Sequence, residues 1–134
     1  MIAVVEPTLN DATTIDLAKQ VVDRGGRATV VVLLSRETKA AVAEFAESEN
    51  LTFPDAHEIY LERLAASYSA HFGDHKAATI ITDRSDANRF VFDAAARRAA
   101  TSVAVPQRLI SRRNWKSSVA RSQIPVLIAP ARAA

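Results

Sequence analysis

The 134-residue chain contains no cysteine. That absence excludes disulfides, thiol nucleophiles and every cysteine-ligated zinc or iron–sulfur centre, and it fits a reducing compartment. Long hydrophobic runs are missing too. No apolar stretch approaches the roughly 20 residues of a membrane-spanning helix. The start of the chain, MIAVVEPTLND, has no basic segment ahead of an apolar one, as a secretory signal would. The expectation is a cytoplasmic protein with no membrane partner. No internal repeat, low-complexity tract or linker divides the chain, so residues 1–134 are expected to form one domain, large enough to bury a core unaided.

What is present is an alternation of short apolar runs with amphipathic stretches. Ile2 to Val5 is a β-branched run ended by Pro7. Asn10 and Asp11 are helix-capping types, and Ile15, Ala18, Val21 and Val22 recur at helical spacing up to Gly25-Gly26. Ala28 to Leu34 is apolar without alternation, the pattern of a strand buried on both faces. Ser35 can cap a helix with Ala41, Val42, Phe45 and Ala46 inward; Asn50 to Pro54 breaks it. Asp55 with Glu58 resembles a capping box opening a helix that ends at Gly73. Ala77 to Thr82 reads as a third strand, followed by a helix capped by Ser85 or Asp86 and running through Ala99. Ser102 to Val105, a basic loop, a short helix over Trp115 to Arg121 and a strand over Pro125 to Ala129 complete the chain. Strands alternating with helices predict an α/β fold: a doubly wound sandwich around a parallel sheet.

Charge is unevenly distributed along this order. Residues 1–67 hold 6 Lys+Arg against 11 Asp+Glu, and residues 68–134 hold 11 against 4. The basic stretch between the last two strands carries Arg108, Arg112, Arg113, Lys116 and Arg121 with no acid. Ligands of open α/β sheets sit outside the carboxyl ends of the strands, so this stretch is a candidate anion site. A solvated charged surface is the competing explanation, and Arg97 and Arg98 are expected on a solvated helix face.

The tail Ser117-Ser118-Val119-Ala120-Arg121 followed by Ile124-Pro125-Val126-Leu127-Ile128-Ala129-Pro130 resembles the end of the universal stress protein family. The short first strand, the long helix ending Gly25-Gly26 and the run ATVVVLL are similar as well, so the resemblance covers nearly the whole chain. It implies five parallel strands in the order 3-2-1-4-5. It also implies a homodimer joined through the last strand, Pro125, Val126, Leu127, Ile128 and Ala129. ATP-binding members of that family end the first strand in Asp-Gly-Ser and place a Gly-x-x-Gly, nine-residue, Gly-Ser/Thr pattern after the fourth strand. Here Glu6-Pro7-Thr8 replaces the first motif, no glycine follows Gly73, Pro106 follows the strand directly, and Ser117-Ser118 replaces Gly-Ser. Backbone N–H groups cannot approach phosphates closely past such side chains, and proline removes a donor. The expectation is a degenerate ATP site and no bound cofactor.

Remaining candidates are local. Glu6 could orient a ligand hydroxyl or lie exposed in a loop. Asp83 and Arg84 could touch a ligand from the turn after the third strand, a turn equally explained by helix capping. Arg108, Arg112, Arg113 and Lys116, with Ser117 and Ser118, could hold phosphates through side chains instead of backbone. Neither serine has a His/Asp partner in view, and no paired catalytic groups suggest an enzyme. His71 and His75 flank Asp74 at zinc-like spacing, but Gly73 interrupts the helix and no third ligand is near, so no metal is expected. His57 is expected in solvent. Trp115 could stack on a base, and fits better as a lid on the core. Three functions follow in order: a non-enzymatic regulatory module with a protein partner, a nucleotide or phosphate binder using side chains, and, last, a nucleic-acid binder.

Overall fold

A computed structural model describes residues 1–7, 9, 11–73 and 77–130. Five strands form one parallel sheet in the order β3-β2-β1-β4-β5: β1 Ile2–Val5, β2 Ala28–Leu33, β3 Ala77–Thr82, β4 Val103–Pro106 and β5 Val126–Ala129. Between them run α1 Ala12–Asp23, α2 Arg36–Ser48, α3 Phe53–Ala70, α4 Ala87–Arg97, α5 Gln107–Ile110 and α6 Arg113–Arg121. The three central strands are buried along their whole length, which is why they read as unbroken apolar runs.

Alternate residues of those strands feed two cores. Ile2, Val4, Val31, Val103 and Val105 meet Val91 and Ala95 of α4, Leu109 of α5 and Trp115 of α6. Ala3, Val5, Val30 and Val32 meet Ile15, Ala18 and Val22 of α1, with Leu64 and Tyr68 of α3 against them. A third, smaller cluster joins Val42 and Ala46 of α2 to Ala56 of α3. Each fully buried Val or Ile is worth about 1.5–3 kcal/mol of apolar transfer, so the two sheet-borne cores dominate the stability.

Helix ends explain most differences from the sequence expectations. Ser35 and Thr38 form a reciprocal capping box at α2, as expected. The start of α3 is set by Thr52, whose hydroxyl accepts from the Asp55 N–H, with Pro54 inside the first turn. The Asp55–Glu58 pair therefore lies within the helix, because proline near the first position costs no hydrogen bond. Three helices close in Schellman motifs on residues with positive φ: Gly25 after α1, Asn50 after α2 and Ala99 after α4. Ala99 therefore lies outside α4, at φ 51°, in a conformation that alanine adopts only at a cost.

The largest departure is the basic stretch. Its first part, expected as a loop, forms α5 directly on the end of β4, while the short helix expected over Trp115 to Arg121 is α6, starting two residues earlier at Arg113. Pro106 is the last residue of β4, beyond the residues that β1 pairs with, so its missing N–H breaks no ladder bond to β1. Leu109 and Trp115 are buried and fasten both helices to the sheet. Trp115 lies tilted against Phe92, ring centroids 6.5 Å apart, as a core residue.

Candidate functional site: the carboxyl edge of the sheet

In the order 3-2-1-4-5 the chain switches direction between β1 and β4. Outside the carboxyl ends of those two strands is the place where such sheets bind ligands. Here that place is filled by three side chains. Arg108, on the first turn after β4, donates from Nε to Glu6 Oε1 at 3.0 Å and from Nη1 and Nη2 to the two oxygens of Asp11 at 2.5 and 2.7 Å. Asp11 also accepts from the Glu6 backbone N–H at 2.6 Å. The two carboxylates are buried, 7% and 5% exposed, and the guanidinium is 33% exposed. The Asp11 hydrogen bond holds the Arg108 guanidinium above its ordinary pKa, against the opposing effect of burial. One bidentate and one single charge-assisted contact therefore join the end of β1, the start of α1 and the end of β4.

Asp11 occupies the N-cap position of α1 without capping it; its oxygens are committed to Arg108 and to Glu6. Glu6, read as either a ligand contact or an exposed carboxylate, is a buried partner of Arg108. Asp11 itself was legible only as a cap, because its partner lies 97 residues away.

Beside this clamp a cleft of about 370 Å³ opens between the ends of β2 and β3 and the starts of α4 and α6. Glu6, Arg84 and Arg112 line it together with Ser35, Glu37 and Trp115. Arg84 is already engaged: Nε and Nη2 donate to the two Asp86 oxygens at 2.8 Å each, and its guanidinium lies over Phe90 at 5.3 Å. That pairing pulls the Asp86 carboxyl below its usual range. Asp86 stands at the N-cap of α4 yet makes no capping bond, so neither capping candidate, Ser85 nor Asp86, is seen to cap by a side chain. The Glu37 carboxyl is lowered by its own backbone N–H and the Ser35 hydroxyl, with Arg112 adding attraction. Arg112 makes no ion pair within 4 Å among the described residues.

The other candidates do not converge on the cleft. Asp83, Arg113 and Lys116 are exposed. Ser117 is half-buried. Ser118 accepts from Asn88 Nδ2 at 2.8 Å, and Asn88 also exchanges hydrogen bonds with Asn114, which ties α4 to α6. Asn88 carried no signal in the sequence beyond being a polar residue early in a helix. His57 stacks on Phe53, ring centroids 5.9 Å apart, at the start of α3. His71 caps the end of α3, while Asp74 and His75, like Thr8 and Asn10, lie outside the described residues. Among the described residues no group of three His, Cys, Asp or Glu side chains could hold a metal, and no helix is long and apolar enough to cross a membrane.

At the far edge of the sheet β5 pairs, among the described residues, only with β4. Leu127 and Ile128 are 41% and 49% exposed there, and the Pro125 carbonyl accepts from the Val103 N–H. Val126 is half-buried and Ala129 buried.

No family model and no curated protein matches the chain. In three dimensions it is similar to a universal stress protein from Archaeoglobus fulgidus, with 14% identity and a TM-score of 0.53, over 96% of this chain and 92% of that one. It is similar to the crystal structure of a hypothetical protein as well, with 14% identity and a TM-score of 0.52, over 98% of this chain and 97% of that one. What this chain has in common with a universal stress protein is the fold: a five-stranded parallel sheet in the order 3-2-1-4-5 with helices around it.

Proposed function

We propose that the protein is a non-enzymatic regulatory module of the universal-stress-protein kind, cytoplasmic and homodimeric, in which the ATP cradle has degenerated. The observation that carries this reading is the Arg108 clamp on Glu6 and Asp11, which occupies the switch point between β1 and β4. A triphosphate entering there would meet two carboxylates already satisfied by an arginine, and a helix starting where a glycine loop would be needed. The exposed apolar edge of β5 supports pairing with a second copy, since an open apolar edge invites another strand. Signalling would then pass to a protein partner and not through a bound nucleotide.

Calorimetric titration with ATP tests the first part: no saturable heat is expected. Light scattering on eluting protein tests the second: a dimer is expected at all micromolar concentrations, and a persistent monomer would contradict it. A second reading is favoured by one observation, the unpaired Arg112 in the wall of the 370 Å³ cleft. It makes the protein a nucleotide or phosphate binder through side chains, and it requires saturable binding that disappears in Arg112→Ala. Steeply salt-dependent binding to any RNA or DNA would instead identify a nucleic-acid binder.

A further inference from the structure

The opposite edge of the sheet, at the amino ends of the strands, holds the larger cavity. It encloses about 520 Å³ between the end of α1, the starts of β1 and β2, and the turn after α4. Arg27 and Arg98 line it with Thr29, and Val21, Ala99 and Ala100 supply apolar wall. A neighbouring hollow of about 400 Å³ has Arg27, Thr29 and Arg98 in its wall as well, so the two guanidinium-bearing residues stand between two concavities. Among the described residues no acidic side chain lines either one. The exposed Arg98, just past the end of α4, donates from Nη1 to Thr29 Oγ1 at 3.3 Å, a contact that lays the side chain across the edge. Neither Arg27 nor Arg98 forms an ion pair among the described residues.

We infer that this cavity is a binding site for a small organic dianion, in which Arg27 and Arg98 hold the charged oxygens and the Val21, Ala99 and Ala100 wall takes the uncharged body. Two guanidiniums match a doubly charged oxyanion better than a single carboxylate, because each arginine can present a planar pair of donors. The cavity volume is that of a small-molecule site, mainly apolar with a few fixed polar groups. Helices α1 and α4 end at this edge, at Arg24 and Arg98, and their carboxyl-end dipoles favour positive charge there. Dipole complementarity accounts for the sign of the charge; it does not account for a concavity with two arginines in its wall that have no carboxylate partner among the described residues. A phosphate monoester is the simplest dianion with an apolar body. The site is independent of the carboxyl-edge clamp.

Phenyl phosphate is the probe, with phenol and inorganic phosphate alongside, followed through backbone amide NMR shifts of the whole chain. The expected result is saturable shifts at Gly26, Thr29, Ala99, Ala100 and Thr101, weaker with inorganic phosphate and absent with phenol. Arg27→Gln and Arg98→Gln are each expected to weaken binding about tenfold, and Arg112→Ala to leave it unchanged. Arg27 makes no side-chain hydrogen bond or ion pair among the described residues, so Arg27→Gln keeps the fold should Arg98→Gln disturb it. Absence of saturable shifts at these amides would overturn the proposal. So would equal binding by the wild type and Arg27→Gln, or shifts confined to the Arg112 cleft. A lowered melting temperature in Arg98→Gln with no probe binding in the wild type would reduce the arginine to a helix-end charge.

Discussion

The two edges of the sheet use the same residue in opposite ways. At the carboxyl edge Arg108 and Arg84 each meet a carboxylate, Arg108 two of them. At the amino edge Arg27 and Arg98 meet none among the described residues. The helices supply part of the reason. In a parallel α/β sheet their amino ends crowd the carboxyl edge, where positive dipole ends draw Asp11, Glu37 and Asp86. Arg108 and Arg84 there are neutralised by acids the dipoles have collected, whereas Arg112 has no ion pair among the described residues. Helix carboxyl ends crowd the other edge, where negative dipole ends favour cations, and Arg27 and Arg98 meet no carboxylate there among the described residues. Arg108 is thus a fastening, while Arg27 and Arg98 are left without a carboxylate partner among the described residues.

Breaking the fastening should have the largest effect. Arg108→Ala leaves Glu6 and Asp11 buried with no counter-charge, and a loss of about 3 kcal/mol is expected. Urea unfolding should show it as a lower midpoint at unchanged slope. Next comes a gain: Ala99→Gly relieves the positive φ in the amino-edge cavity wall and should stabilise the protein by about 0.5–1 kcal/mol by the same measurement. Arg84→Ala, which removes an exposed pair with Asp86, should change stability by less than about 0.5 kcal/mol. A loss from Arg84→Ala as large as that from Arg108→Ala would erase the distinction between a buried clamp and a surface pair.

A further effect is confined to alkaline pH. Burial pushes the Tyr68 phenol up to about 12, with the Asp11 charge and Tyr60 adding to the shift. A phenol whose folded pKa lies above its unfolded value of about 10 contributes stability that is fully present below pH 10 and is lost as pH rises toward 12. Absorbance at 295 nm should show an ionisation near pH 12 in the wild type that is missing in Tyr68→Phe.

Most of the frame was legible in the sequence, for a physical reason. Strands buried on both faces cannot tolerate polar residues, so Ile2–Val5 and Ala28–Leu33 announce themselves. Capping chemistry is local, and Ser35 with Thr38 is readable at three residues' separation. The failures share a cause, which is distance or context. Arg108 looks like one of several loop cations until Asp11 and Glu6 are brought beside it from the other end of the chain. Arg98 is exposed, as its position in the sequence suggests, but its contact with Thr29, 69 residues earlier, could not be read locally. The division into an acidic half and a basic half does not survive folding, because the amino-edge cavity takes one arginine from each. Ala99 reads as a helix continuation because alanine is a strong helix former; only the turn into β4 forces it out.

The clamp at the switch point is the claim on which the functional reading stands, and amide NMR during an ATP titration tests it most directly. The prediction is no saturable shift at Glu6, Arg108, Asn114 or Ser118. Saturable shifts centred on Glu6 and the stretch from Gln107 to Ser118 would contradict it.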